Sequence, residues 1–152
     1  MLIVLEGCDG AGKTELANFL AKIFKADIIH CSTHTQNDYN FFYDIIQAAK
    51  GKRNVIADRF CYGQFVYQNP EDRPLKDYNF TAEENLSMLE RTMLSTRAKM
   101  IYVTAPADVI KSRLAARGET LINGLTVEEI QQRYDNVINK SLLPWTVYNT
   151  GR

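Results

Sequence analysis

Eight residues near the amino terminus, Gly7-Cys8-Asp9-Gly10-Ala11-Gly12-Lys13-Thr14, carry the spacing G-x-x-x-x-G-K-[ST]. That spacing suits the gripping of a polyphosphate. Residues without bulk, Gly7, Gly10, Ala11 and Gly12, let consecutive backbone N–H groups, that of Asp9 included, curl around phosphate oxygens. A helix opening at Lys13 would add its partial positive end. Lys13 can bridge the β- and γ-phosphates as a mobile point charge, and the Thr14 hydroxyl can ligate Mg²⁺. With ordinary Gly, Lys and Ser/Thr frequencies, a chance match in a chain this long arises with a probability of roughly 0.5%, so ligand binding is preferred to a ligand-free glycine turn. The pattern predicts a site for ATP and Mg²⁺.

Other residues could complete that chemistry. Val55-Ile56-Ala57-Asp58 ends an apolar run with a carboxylate. Asp58 there can hold Mg²⁺ beside the phosphates or cap the next helix, and the cradle favours the metal role. Arg113 and Arg117 are four apart, so one helix would turn both toward one site, where they could stabilise spreading phosphate charge; a solvated face is the alternative. Phe41 and Phe42 stand at helical spacing with Ile45 and Ile46, so at least one of the two rings belongs to the core. His30 and His34 are the bases available in a segment, His30 to Asn37, that has no Asp or Glu.

The elements that must position these groups alternate. Leu2 to Leu5 is a continuous apolar run, as a buried parallel strand requires. Leu16, Phe19, Leu20, Ile23 and Phe24 then recur as one face of a helix. Ala26 to Ile29, Val55 to Ala57, Met100 to Val103 and Trp145 to Tyr148 read as further strands. Helices are expected over Phe41 to Ala49, soon after Arg59, from a Thr81/Glu84 capping box to about Thr96, between Pro106 and Gly118, and from a Thr126/Glu129 capping box through Tyr134 to Ile138. Gln68 to Asn79, with Pro70 and Pro74, reads as a loop. The alternation predicts an α/β domain with five parallel strands flanked by helices, its ligand at the strands' C-terminal ends.

Composition narrows the function. The 152 residues carry no net charge, which argues against a dedicated nucleic-acid binder. No apolar run reaches ~20 residues, and no basic leader precedes the first strand, so neither a membrane span nor a secretory signal is expected. Three cysteines, Cys8, Cys31 and Cys61, are odd in number and widely spaced, which fits reduced thiols in a cytoplasmic protein.

Three blocks resemble the thymidylate kinase family of P-loop nucleoside and nucleotide kinases. Leu5-Glu6-Gly7-Cys8-Asp9-Gly10-Ala11-Gly12-Lys13-Thr14 is similar to E-G-x-D-G-A-G-K-[ST]. Asp58-Arg59-Phe60-Cys61-Tyr62-Gly63-Gln64-Phe65-Val66-Tyr67-Gln68 looks like D-R-[YH]-x-x-S-x-x-A-Y-Q. Arg113 to Glu119, with Arg133-Tyr134, resembles the arginine-bearing lid and the helix behind it. The resemblance implies a three-layer P-loop NTPase fold, with one kinase domain over 1–152 and a short lid about 113–126. It implies that Asp9 binds the acceptor's 3′-hydroxyl, Arg59 its phosphate, Gln64 the pyrimidine edge, and Tyr67 the 2′ position. It further implies an aromatic ring stacked on the base, for which Phe41 or Phe42 is the candidate, and Arg113 and Arg117 over the donor phosphates. The expected reaction is transfer of the ATP terminal phosphate to a deoxynucleoside monophosphate, dTMP or a related pyrimidine deoxynucleotide. The alternative is a deoxynucleoside kinase, or a kinase of a hydroxyl on a modified base or DNA. Family members are often dimers, so a homodimer is a further expectation. Gly63 and Val66 depart from the family pattern, and His30 to Thr35 lacks its R-x-P-G; Asn149 to Gly151 remain available for the adenine edge.

Overall fold

The computed structural model describes residues 1–31, 39–67, 83–121 and 124–151, with the side chains of residues 39, 64 and 83–85 outside that description. The expected loop over Gln68 to Asn79, the Thr81/Glu84 capping box, the His34 position and the side chain of Gln64 therefore lie outside the described residues.

Five parallel strands form one sheet in the order β2-β3-β1-β4-β5. They are β1 (Leu2–Glu6), β2 (Asp27–His30), β3 (Val55–Asp58), β4 (Lys99–Thr104) and β5 (Trp145–Asn149). The crossovers are helical: α1 (Lys13–Phe24), α2 (Tyr39–Lys50), α3 (Gly63–Tyr67), α4 (Glu83–Ser95), α5 (Ala107–Arg117) and α6 (Val127–Lys140). The sheet order reverses direction on either side of β1, and such a switch point opens a crevice beyond the strand ends. Pairing of Leu5 with Asp58, and of Asp58 with His30, sets the ends of β1, β3 and β2 side by side at that crevice.

Two buried clusters lie on the two faces of the sheet. One joins Leu2, Val4, Val55 and Ala57 to Phe42 and Ile46 of α2 and to Leu89 and Met93 of α4. The other joins Ile3, Leu5 and Ile56 to Ala17 of α1, Ile110 and Leu114 of α5, and Ile130 and Tyr134 of α6. Alternate residues of β1 thus feed opposite faces, and all five of its residues are buried, which explains its unbroken apolar run apart from Glu6. Thr126 caps α6 as its pattern predicts, with Thr126 and Glu129 exchanging side-chain-to-backbone hydrogen bonds of 2.8 and 3.1 Å. Gly118 closes α5 in the left-handed conformation, at φ 67°.

α1 departs from expectation. Its sequence stripe runs through Phe19, Ile23 and Phe24, yet these are exposed, Phe19 by 60% and Ile23 by 55%. The helix instead buries Lys13 and Ala17, flanked by the half-buried Leu16, Leu20 and Ala21. Lys13 must turn into the preceding loop, and a small Ala17 lets the helix lie close to the sheet, so these two set the rotation.

Candidate active site

The turn between β1 and α1 wraps tightly. A Cβ on Gly7 would stand 2.1 Å from the Val103 carbonyl oxygen, so only glycine lets the chain pass the end of β4. Gly12 caps α1 at φ 100°, a conformation that glycine adopts without steric cost. Lys13 is buried, and its Nζ donates to the carbonyl oxygens of Gly7 at 2.8 Å and Cys8 at 3.0 Å. Burial pushes its pKa down, the nearby Arg59 charge adds to that, and Asp9, Asp58 and Glu6 oppose it.

A cavity of about 290 Å³ opens over this loop, lined by residues that include Asp9, Lys13, Thr14, Asp58, Arg59 and Arg117. At one wall the Thr14 hydroxyl donates to Asp58 Oδ2 at 3.0 Å, and His30 Nδ1 lies 3.1 Å from the same oxygen. A hydroxyl and a buried carboxylate at the head of a phosphate-binding loop are hard oxygen donors of the kind Mg²⁺ accepts. Among the described residues no cluster of three or more His, Cys, Asp or Glu is grouped for a metal, so an ion held here would share its ligand shell with substrate oxygens and water.

Arg59 also lines the cavity. Its guanidinium pairs with the Asp9 carboxylate and lies 4.6 Å from the centre of the Tyr67 ring. Burial works against its charge, but Tyr67, Tyr134, Asp9 and Glu6 outweigh that and hold it firmly cationic. Its backbone sits at φ 64°, in the left-handed region. For a non-glycine residue that conformation carries a cost of about 1–2 kcal/mol. The cost is tolerated where the surroundings over-determine the position, and such residues gather at functional sites.

The remaining expected site residues differ in their surroundings. Tyr67, expected at the acceptor's 2′ position, is fully buried, its ring beneath Arg59 and edge-on to Tyr134. Its place is under the guanidinium because α3 turns that side chain into the core shared with α6. Phe42 is also core, 1% exposed and edge-on to Phe60 at 4.9 Å. Phe41 is half-buried and packs edge-on to Phe42. The two arginines of α5 part company despite their i, i+4 spacing. Arg117 is exposed and lines the cavity. Arg113 instead donates to the carbonyl oxygens of Gly10 at 3.1 Å and Thr150 at 3.0 Å, and to the Thr150 hydroxyl at 2.9 Å. That hydroxyl donates in turn to the Ala11 carbonyl at 2.5 Å. Arg113 thus ties the phosphate loop to the chain after β5.

Two groups escaped the sequence reading. Glu6 is 0% exposed, and its carboxylate accepts from the Phe60 N–H and the Tyr134 hydroxyl, both at 2.8 Å. Burial pushes its carboxyl above the usual range, against the pull of those two donors. The signal in the sequence was a charged residue closing an otherwise apolar strand. Thr150 is the other, visible beforehand only as part of a segment near the expected adenine edge.

No family model matches the chain. Among solved structures, deoxyadenosine kinase from M. mycoides with bound dATP superposes with a TM-score of 0.61 at 17% identity, covering 98% of this chain and 91% of that one. Thymidylate kinase from Candida albicans gives 0.55 at 14% identity, covering 99% and 82%. These two likenesses establish the P-loop kinase fold. The YorR protein of Bacillus subtilis, in complex with phosphorylated GDP, superposes over 100% of this chain and 87% of its own, with a TM-score of 0.77 and 31% identity. In sequence, the SPbeta prophage-derived protein YorR of Bacillus subtilis (strain 168) is 31% identical over 153 residues, 99% of this chain and 90% of the relative. An identity of that size, sustained from end to end and carried on one fold, places the chain in the family of YorR.

Proposed function

We propose that the protein transfers the terminal phosphate of ATP to a deoxynucleoside monophosphate, dTMP or a related pyrimidine deoxynucleotide. One observation carries this reading: one cavity is lined both by the glycine-rich turn with Lys13 and Thr14 and by an arginine, Arg59, paired with Asp9. Phosphoryl transfer needs two anions held in line, with cations where charge spreads, and no strong base when the acceptor is already an anion. The loop amides and Lys13 would hold the donor. Thr14 and Asp58 would hold Mg²⁺, which when bound neutralises charge on the donor phosphates. Arg59 would grip the acceptor phosphate, and Arg117 would reach the donor from the lid side, 113–126, of one domain over 1–152. Asp9 stands at Arg59, where it can meet a sugar hydroxyl. The phosphorylated GDP held by the YorR protein supports a nucleoside phosphate as ligand. The pyrimidine preference rests on the pattern from Asp58 to Gln68.

A second reading has its own support. His30 lies 3.1 Å from Asp58 and lines the cavity, an imidazole oriented by a carboxylate. Such a pair can take a proton from a hydroxyl, as a deoxynucleoside kinase, or a kinase of a hydroxyl on a modified base or DNA, requires.

A transfer assay with γ-labelled ATP and Mg²⁺ separates the two. The acceptors are deoxynucleosides, their monophosphates and short DNA. Label on a monophosphate, lost in Arg59→Ala, is the expected result. Label on nucleosides or DNA alone, insensitive to Arg59→Ala but lost in His30→Ala, selects the second reading.

A further inference from the structure

The buried carboxylate of Glu6 has no place in the chemistry above, yet removing a charge from water is expensive unless its partners require it. Its location is informative. Glu6 is the last residue of β1, one position before the phosphate loop begins. Its two oxygens go in two directions, one to the backbone N–H of Phe60 and one to the Tyr134 hydroxyl of α6. Immediately before that N–H lies Arg59, in its left-handed backbone conformation, with its own N–H donating to the Leu5 carbonyl at 2.9 Å. Leu5 and Glu6 therefore seize two successive amides on either side of the one strained residue in the cavity wall.

The tyrosine partner extends the same device. Tyr134 lies edge-on to Tyr67, whose ring supports the Arg59 guanidinium. Arg133, its neighbour on α6, donates to the Val66 carbonyl at 2.9 Å and so fixes the end of α3 to the same helix. Backbone and side chain of Arg59 are thus braced from one buried point. A hydrophobic residue at position 6 would pack there, but it could not accept the Phe60 amide, and the turn would lose the contact that opposes its relaxation.

We propose that Glu6, with Tyr134, is the positioning residue that holds Arg59 in its strained conformation and so sets affinity for the acceptor. The inference rests on Arg59 gripping the acceptor, as proposed above, but its structural part does not. If it holds, the buried side chain matters to acceptor binding and not to donor binding. The phosphate loop is fastened separately, by Arg113 and Thr150.

The test uses three variants of the full chain. Glu6→Asp withdraws the carboxylate by one methylene. Glu6→Gln keeps an oxygen for the Phe60 amide and serves as the conservative rescue. Tyr134→Phe removes only the hydroxyl. Steady-state kinetics with ATP and dTMP, and crystal structures of the variants, are the readouts. In Glu6→Asp, KM for the acceptor is expected to rise by about tenfold or more, the worth of a lost hydrogen bond to a charged group, with KM for ATP unchanged within about twofold. Glu6→Gln should restore the acceptor KM to within about threefold of wild type, and Tyr134→Phe should give the same one-sided rise at smaller size. Crystals of Glu6→Asp should show Arg59 relaxed out of positive φ. Equal rises in both KM values, or an Arg59 that keeps its conformation in Glu6→Asp, overturns the proposal. Should Glu6→Asp fail to fold, Tyr134→Phe decides: an unchanged or symmetric KM overturns it. If the wild-type protein uses no monophosphate acceptor, the proposed function fails, and the position of Arg59 in the variant crystals still judges the inference.

Discussion

Arg59 offers a test in which backbone strain and side-chain chemistry are read separately. Arg59→Ala and Arg59→Gly both delete the guanidinium, so both lose the pair with Asp9 and the contact with Tyr67. They differ only in what the backbone feels at φ 64°. Alanine carries the left-handed cost of about 1–2 kcal/mol, whereas glycine carries none but loses about 0.5–1 kcal/mol more chain entropy on folding. The net advantage of glycine is about 0.5–1 kcal/mol, which for a domain of this size is a melting shift of roughly 1–4 °C. Transfer to a monophosphate should fall in both variants by about a hundredfold, the worth of ~3 kcal/mol of charge-assisted hydrogen bonding. Scanning calorimetry of the two variants side by side, with labelled-ATP kinetics on the same preparations, makes the comparison. An alanine variant that melts at or above the glycine variant would falsify the strain argument. Wild-type kcat/KM for the monophosphate in either variant would remove Arg59 from the acceptor site.

Three further outcomes are expected. Lys13→Ala should reduce transfer by about a hundredfold or more, because it deletes a cation from the proposed donor site; turnover near wild type in a rapid-quench assay contradicts that site. All three cysteines are buried, and burial pushes Cys8 up to about 11 and Cys31 up to about 12, with Cys61 raised as well. Since the thiolate is the reactive form, the native thiols should resist a disulfide reagent at neutral pH, react faster as pH climbs toward those values, and all react at once in denaturant; fast native labelling at pH 7 contradicts this. Thr126→Ala removes the side-chain half of the α6 capping box, the hydroxyl that accepts from the Glu129 N–H, and should cost about 1 kcal/mol, or roughly 2–4 °C in melting temperature, with no change in kinetics.

What the amino-acid order determined alone is what lies within a few residues of itself. The glycine spacing before Lys13 specifies a turn and a helix start through local backbone freedom. The apolar run of β1, the Thr126 cap and the Gly118 stop are local in the same sense, and together they imply a parallel sheet with helical crossovers. The rotation of α1 was not legible, because Phe19 and Ile23 are as apolar as the residues that pack, and only the depth available at Ala17 chose between faces. Arg113 and Arg117 have the same local spacing and opposite fates, decided by Thr150, 37 residues further on. Tyr67 and Phe42 went to the core because other segments offered them rings to pack on. The partnership of Glu6 with Phe60 and Tyr134 spans 54 and 128 positions, so no pattern along the chain could announce it. A hydrogen bond is fixed by where two groups meet in space, and for distant segments that meeting is set by strand register and helix rotation.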